Sequence, residues 1–169
     1  SCPLKLCISA SNEWPSAEGG KELSAMFDRF LFRKLVRPIT TDSGREALLW
    51  GGSHKPVLST RITTAEIEQA TADAQALPWT DEAKDALRAI IHEARREGIV
   101  AGDRRQFKSI GATRAYAWLQ GAVAVDPDHL EVLGHVLWDD PAEQPQKLAE
   151  IVGRIANPIV MSVNKLLAE

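Results

Sequence analysis

A chain of 169 residues, 44% apolar and 25% charged, is long enough for one good core or two small ones and has the balance of an ordinary globular protein, which argues against disorder. Its formal net charge of -3 argues against a surface that seeks nucleic acid or membrane as a whole, although a local basic patch is compatible with it. No run approaches the length of a membrane span and none resembles a signal peptide, so the expected compartment is the cytoplasm, without membrane insertion.

The chain opens on "LKLCISASNEWP", an apolar run that reads as a fully buried strand ending on Ser11, Asn12 and Glu13. Cys2 and Cys7, five apart, point to opposite faces of such a strand and do not readily bridge. No further Cys or His cluster completes a metal site, so Cys7 reads as a buried thiol. The next segments, "KELSAMFDRF" and "LFRKLVRPI", read as a helix with Leu23, Met26, Phe27 and Phe30 on one side and then a strand. Together they make a βαβ unit. Two parallel strands do not stand alone, because such sheets need neighbours and cover on both faces, so earlier strands are expected from outside this segment.

A connecting helix, "DSGREALLW", and a turn-rich loop, "GGSHKP", lead into an entirely helical region. "TTAEIEQATADAQAL" starts with Thr63 and Glu66 in capping-box spacing and puts Ile67, Ala70, Thr71, Ala74 and Leu77 on one side. "TDEAKDALRAIIHEARREG" has Thr80 as cap, acids in its first turn, basic residues in its last and Gly98 beyond its end, with a stripe of Ala83, Leu87, Ile90, Ile91 and Ala94. "DRRQFKSIGATRAYAWLQG" is the third helix, with Phe107, Ile110, Gly111, Ala115 and Trp118 expected inward. "DPDHLEVLGHVLWDDP" is the fourth, capped by Asp126 with Pro127 at its first position and contributing Leu130, Leu133 and Leu137. A last helix is expected over about Gln146 to Leu167, broken or bent near Asn157 and Pro158.

Three residues stand out chemically. Asn12 ends a buried strand, the place where open parallel sheets read ligands. Its amide can donate to a phosphate oxygen and accept from an attacking water, or it can simply tolerate the turn. Arg29 lies off the apolar stripe at the carboxyl end of its helix, where it suits the phosphate of a neighbouring subunit or a surface ion pair with Glu22 or Asp28; Arg33 is a weaker alternative. Arg104 continues the line of 107, 111, 115 and 118, so it is expected to face inward and to want an anion or an internal partner such as Asp103. Arg105 is expected on the more open face, and the bundle is expected to stay folded without either arginine.

"SASNEWP", "LSAMFDRFLFR", "GDRRQFKSIGATRAYAWLQG" and "VDPDHLEVLGHVLWDDP" resemble, in that order from about Leu4 to Pro141, the MoxR-type AAA+ ATPases, particularly the RavA-like branch. The resemblance implies that Asn12 is the sensor 1 residue, Arg29 the arginine finger and Arg104 the sensor 2 arginine of the lid. It implies a mostly α fold: a partial α/β AAA+ core, the βαβ remnant, followed by an all-α helical lid bundle. The divisions are then 1–41 for the end of the core, 42–61 for the connecting helix and linker, 62–141 for the lid with sensor 2 and 142–169 for a helical extension. It further implies ATP and Mg2+ as ligands of the intact protein, a homo-oligomeric ring of six subunits, and remodelling of partner proteins, often ones with von Willebrand factor A domains.

The chain departs from that family in lacking the phosphate cradle G-x-x-x-x-G-K-[ST] and an acidic Walker B strand before Asn12, so alone it is expected neither to hydrolyse ATP nor to bind it tightly. Gly102 stands where the family often has serine, and Gln106 where it often has tryptophan. The alternative from another class is a helical DNA-binding module using the 103–119 helix with Arg104, Arg105, Lys108 and Arg114. It accounts for the bundle but not for the βαβ opening, and the family reading expects no nucleic acid.

Overall fold

The computed structural model describes residues 5–12, 26–52 and 57–158. Glu22, Leu23 and the rest of the first half of "KELSAMFDRF", part of the 42–61 linker and the last helix beyond 158 lie outside the described residues.

Among the described residues five α-helices and one 3₁₀ helix follow in order: α1 (Asp42–Trp50), α2 (Thr64–Ala76), α3 (Asp81–Arg96), α4 (Asp103–Leu119), the 3₁₀ helix Pro127–His135, and α5 (Gln144–Ala156). The helices expected from Asp42 to Ala156 are therefore present, with "DPDHLEVLGH" wound as 3₁₀ and the last helix starting two residues earlier than read. Their ends obey the local chemistry. Thr63 and Glu66 form the full capping box on α2. Thr80 caps α3 by accepting from the Ala83 backbone N–H at 3.1 Å. At the other end of α3, Gly98 takes φ +79°, the Gly98 N–H donates to the Arg95 carbonyl and the Ile99 N–H to the Ala94 carbonyl, a complete Schellman motif. Gly98→Ala should therefore destabilise the bundle by about 1 kcal/mol, measured by urea unfolding, since a Cβ there meets no atom and only the backbone conformation is strained.

The core lies between α3, the 3₁₀ helix and α5. Ile90, Leu130, Leu133, Val136, Leu137 and Leu148 are essentially inaccessible, and Ile151, Val152 and Trp138 close around them. Each fully buried Leu or Ile contributes about 1.5 to 3 kcal/mol over exposure, which is why the expected stripes Ala83–Ala94 and Leu130–Leu137 hold in place. A parallel bridge between Trp79 and Val125 ties the α2–α3 link to the α4–3₁₀ link, with the Val125 N–H donating to the Pro78 carbonyl at 2.8 Å and the Thr80 N–H to the Val125 carbonyl at 3.1 Å. Helix α2 contributes only Ala74 to the buried set, and Ile67 stays exposed.

Helix α4 is turned from the expected orientation. Its buried residues are Arg105, Ser109, Ala112, Thr113 and Ala117, spaced i, i+4, i+7, i+8 and i+12 on one face, whereas Phe107 is 76% exposed and Trp118 37%. The reason is fit: small residues let α4 approach α2 and the 3₁₀ helix closely. The two hydroxyls on that face are satisfied within the helix, Ser109 Oγ donating to the Gln106 carbonyl at 2.7 Å and Thr113 Oγ1 to the Ser109 carbonyl at 2.9 Å. Arg104 is accordingly exposed and Arg105 buried, the reverse of the expected sides.

The opening segments also differ. Among the described residues no strand forms; 5–12 are exposed throughout, and Cys7 is a free, exposed thiol rather than a buried one. Residues 31–40 form neither helix nor strand and meet the bundle through Leu31 and Arg33. A parallel strand needs paired neighbours and covered faces, and no described residues form a neighbouring strand to supply them. Helix α1, capped by Thr41, buries no residue and packs against no other named element, leaving Leu48, Leu49 and Trp50 exposed.

Candidate functional site

Four charged side chains from three distant parts of the sequence meet where the 26–40 segment crosses the helical bundle. Asp28 lies in a turn closed by backbone bonds from the Arg29 N–H to the Met26 carbonyl and from the Phe30 N–H to the Phe27 carbonyl, both 3.0 Å. Arg33 is anchored five residues on, its N–H donating to the His135 carbonyl at 2.9 Å. Arg105 sits in the first turn of α4, and Asp139 follows the 3₁₀ helix in "LWDDP". Gln144 Oε1 holds that turn by accepting from the N–H groups of Asp139 at 2.8 Å and Asp140 at 2.9 Å.

Asp139 Oδ1 is the hub. It accepts from Arg33 Nη1 at 2.6 Å and from Arg105 Nη1 at 2.6 Å, while Arg105 Nη2 donates to Asp28 Oδ1 at 2.6 Å. Arg33 Nη1 also donates to the Trp138 carbonyl at 2.7 Å and Arg33 Nη2 to the Phe27 carbonyl at 3.1 Å. The side chains of Arg33 and Arg105 are 5% and 3% exposed, while the carboxylates of Asp28 and Asp139 are about half open to solvent. Two cations are thus buried under two anions at the rim. A guanidinium in the first turn of a helix opposes the helix dipole, and burial removes its water. The paired carboxylates, with the Trp138 carbonyl 3.5 Å from Arg105 Nη1, offset both costs.

The sequence-predicted residues lie elsewhere. Asn12 is exposed in a bend at the end of the described amino-terminal stretch, Arg29 is exposed in the turn beside Asp28, and Arg104 is exposed at the amino end of α4 beside Arg105. They sit on three separate segments. Two of them, however, are chain neighbours of the cluster: Arg29 follows Asp28, and Arg104 precedes Arg105. Sequence reasoning missed Arg105, Asp28 and Asp139 because it took the large apolar residues of α4 as its inner face. The available signal was the pairing of a small-residue face on α4 with acids in "DRF" and "LWDDP".

The same geometry weighs on the DNA-binding alternative. Of its four basic residues, Arg105 is consumed by ion pairs and Arg114 Nε donates to the Leu77 carbonyl at 3.0 Å, so the 103–119 helix does not present them as one face. No helix among the described residues is long and apolar enough to cross a membrane.

Comparison with known proteins agrees with this architecture. Residues 83–152 match the family model described as the AAA lid domain, a span that runs from α3 through the 3₁₀ helix into α5 and includes Arg104, Arg105 and Asp139. Two curated proteins of Methanocaldococcus jannaschii are similar over most of the chain. Uncharacterized protein MJ0812 is 34% identical over 142 residues, 83% of this chain and 36% of that protein; uncharacterized protein MJ0079 is 33% identical over 139 residues, 82% of this chain and 35% of that one. The chain thus spans about a third of the length of the curated relatives it matches. Over residues 83–152 the bundle built around Leu130, Leu133 and Leu148 is therefore similar in sequence to the AAA lid domain, the helical part of an AAA+ ATPase.

Proposed function

We propose that this chain is the carboxyl-terminal part of a MoxR-type AAA+ ATPase of the RavA-like branch. The full-length protein would work in the cytoplasm as a ring of six subunits. It would hydrolyse ATP with Mg2+ and use the motion to remodel partner proteins such as those with von Willebrand factor A domains. In this reading Asn12 orients the attacking water, Arg29 meets the γ-phosphate held by the neighbouring subunit, and Arg104 binds the phosphates of its own subunit's nucleotide.

The observation that carries the reading is the division between adjacent arginines on the helix that matches the AAA lid. Arg105 is spent on Asp28 and Asp139, and Arg104 stands exposed at the same helix end. Gly102 supplies no side-chain cap, so no side-chain oxygen competes with an anion for the first-turn N–H groups that precede Arg105, whose own N–H donates to the Gly102 carbonyl. An exposed guanidinium beside those donors fits a phosphate. The described residues do not fit Mg2+: no group of three or more His, Cys, Asp or Glu among them could hold a metal ion, and the proposal assigns its ligands to other parts of the full-length protein.

Arg104→Ala tests the reading. One charge-assisted hydrogen bond to phosphate contributes about 1.5 to 3 kcal/mol, so ATP should bind the variant of the full-length protein roughly ten to a hundredfold more weakly, read by calorimetry. The thermal midpoint should stay at the parent's value because Arg104 supplies no buried contact. Parental ATP affinity in the folded variant would remove Arg104 from the site.

A further inference from the structure

The ion pair between Arg105 and Asp28 joins residues 77 apart in sequence, each the chain neighbour of a candidate phosphate-reading arginine. Asp28 lies in the same tight turn as Arg29, whose N–H closes that turn on the Met26 carbonyl. Arg105 lies in the same helical turn as Arg104, its N–H donating to the Gly102 carbonyl at 2.9 Å. Asp139 and Arg33 brace the pair from the far side, so a displacement of the amino end of α4 cannot leave Asp28 behind without breaking bonds of 2.6 Å to a guanidinium that is 3% exposed. Packed and ion-paired elements of this kind switch between arrangements rather than deform gradually.

From this geometry we infer that Asp28 and Arg105 are positioning residues forming a rigid strut between the lid's own nucleotide arginine, Arg104, and the arginine offered to the neighbouring subunit, Arg29. This rests on the function proposed above. Closure of the lid on a subunit's own ATP pulls α4 toward the phosphates through Arg104; Arg105 carries the shift to Asp28, and the turn sets Arg29 against the next subunit's γ-phosphate. The chemistry in one site is thereby tied to occupancy of the adjacent one.

The test is a double-mutant cycle on ATP turnover by the full-length protein. Asp28→Asn keeps the shape of the turn and leaves Asp139 to hold both arginines. Arg105→Lys keeps a cation that can reach Asp139 but cannot bridge to Asp28 as well. Each variant should lower kcat about tenfold, the usual scale of a coupling between two sites, with KM for ATP within about twofold of the parent. The double variant should be no worse than either single one, because both break the same strut. Asp28→Glu, which retains the carboxylate, should recover most of the rate. Independent defects, multiplying to about a hundredfold in the double variant, would overturn the strut. So would a parental kcat in Asp28→Asn, which decides the matter alone if Arg105→Lys fails to fold. Arg29→Ala in the same assay separates the two claims: full turnover there defeats the finger itself, whereas loss there beside a normal Asp28→Asn defeats only the strut.

Discussion

Arg29→Ala in the full-length protein is expected to stop ATP turnover while leaving ATP binding nearly unchanged. Arg29 is exposed in a turn at the edge of the described fold, so its truncation removes no buried volume. A guanidinium that meets developing charge on a transferring phosphoryl group is worth about three to five powers of ten in rate, far more than it adds to ground-state affinity. Phosphate release should therefore fall by about 10³ to 10⁵ at saturating ATP. A finger that serves the next subunit makes a further demand: rings mixed from Arg29→Ala subunits and subunits unable to bind ATP should regain part of the activity, since each supplies what the other lacks. Mixed rings as inactive as their parents would place Arg29 outside the neighbour's site.

The second large effect belongs to Asp139. Its Oδ1 accepts from both buried arginines, so Asp139→Ala strips two guanidinium groups under the 26–40 segment of the carboxylate they share. Removing one partner of a buried ion pair typically costs about 3 to 5 kcal/mol, and the half exposure of Asp139 brings the expected loss to roughly 3 kcal/mol. Asp140→Ala, one residue on, loses only an exposed bond from the Ala142 N–H and should cost about 0.5 kcal/mol. Urea unfolding of this chain compares the two. Equal midpoints would mean that solvent enters the cluster and that the ion pairs do not hold the segment to the bundle. Arg105→Ala belongs with Asp139→Ala: it should destabilise the chain, contrary to the expectation from sequence that the bundle would not feel its loss.

The helices were legible because their signals are local. Thr63 with Glu66, Thr80, Gly98 and Asp126 with Pro127 mark ends whose hydrogen bonds are made within a few residues, and the stripes of α3 and the 3₁₀ helix have one dominant apolar side. Helix α4 has two competing sides. Counting large apolar residues selects Phe107, Ile110 and Trp118, but the packed side is chosen by how closely the backbone of α4 can approach its neighbours, which favours Ser109, Ala112, Thr113 and Ala117. The one-position shift exchanged Arg104 and Arg105. The partners of Arg105 lie 77 residues before it and 34 after it, so no window of sequence around α4 contains them. The strands expected at the amino end do not form among the described residues for the opposite reason: the apolar runs of Leu4–Ile8 and Leu31–Ile39 are real, but a strand is a property of a pair, and no described segment offers the other half.

The central claim is that the bundle is the lid of a nucleotide hydrolase, and the most direct measurement is release of inorganic phosphate from ATP by the purified full-length protein, with and without Mg2+. The account predicts Mg2+-dependent turnover that disappears in Arg29→Ala and is weakened in its ATP dependence by Arg104→Ala. A folded full-length protein that neither binds ATP nor releases phosphate above the blank would contradict it.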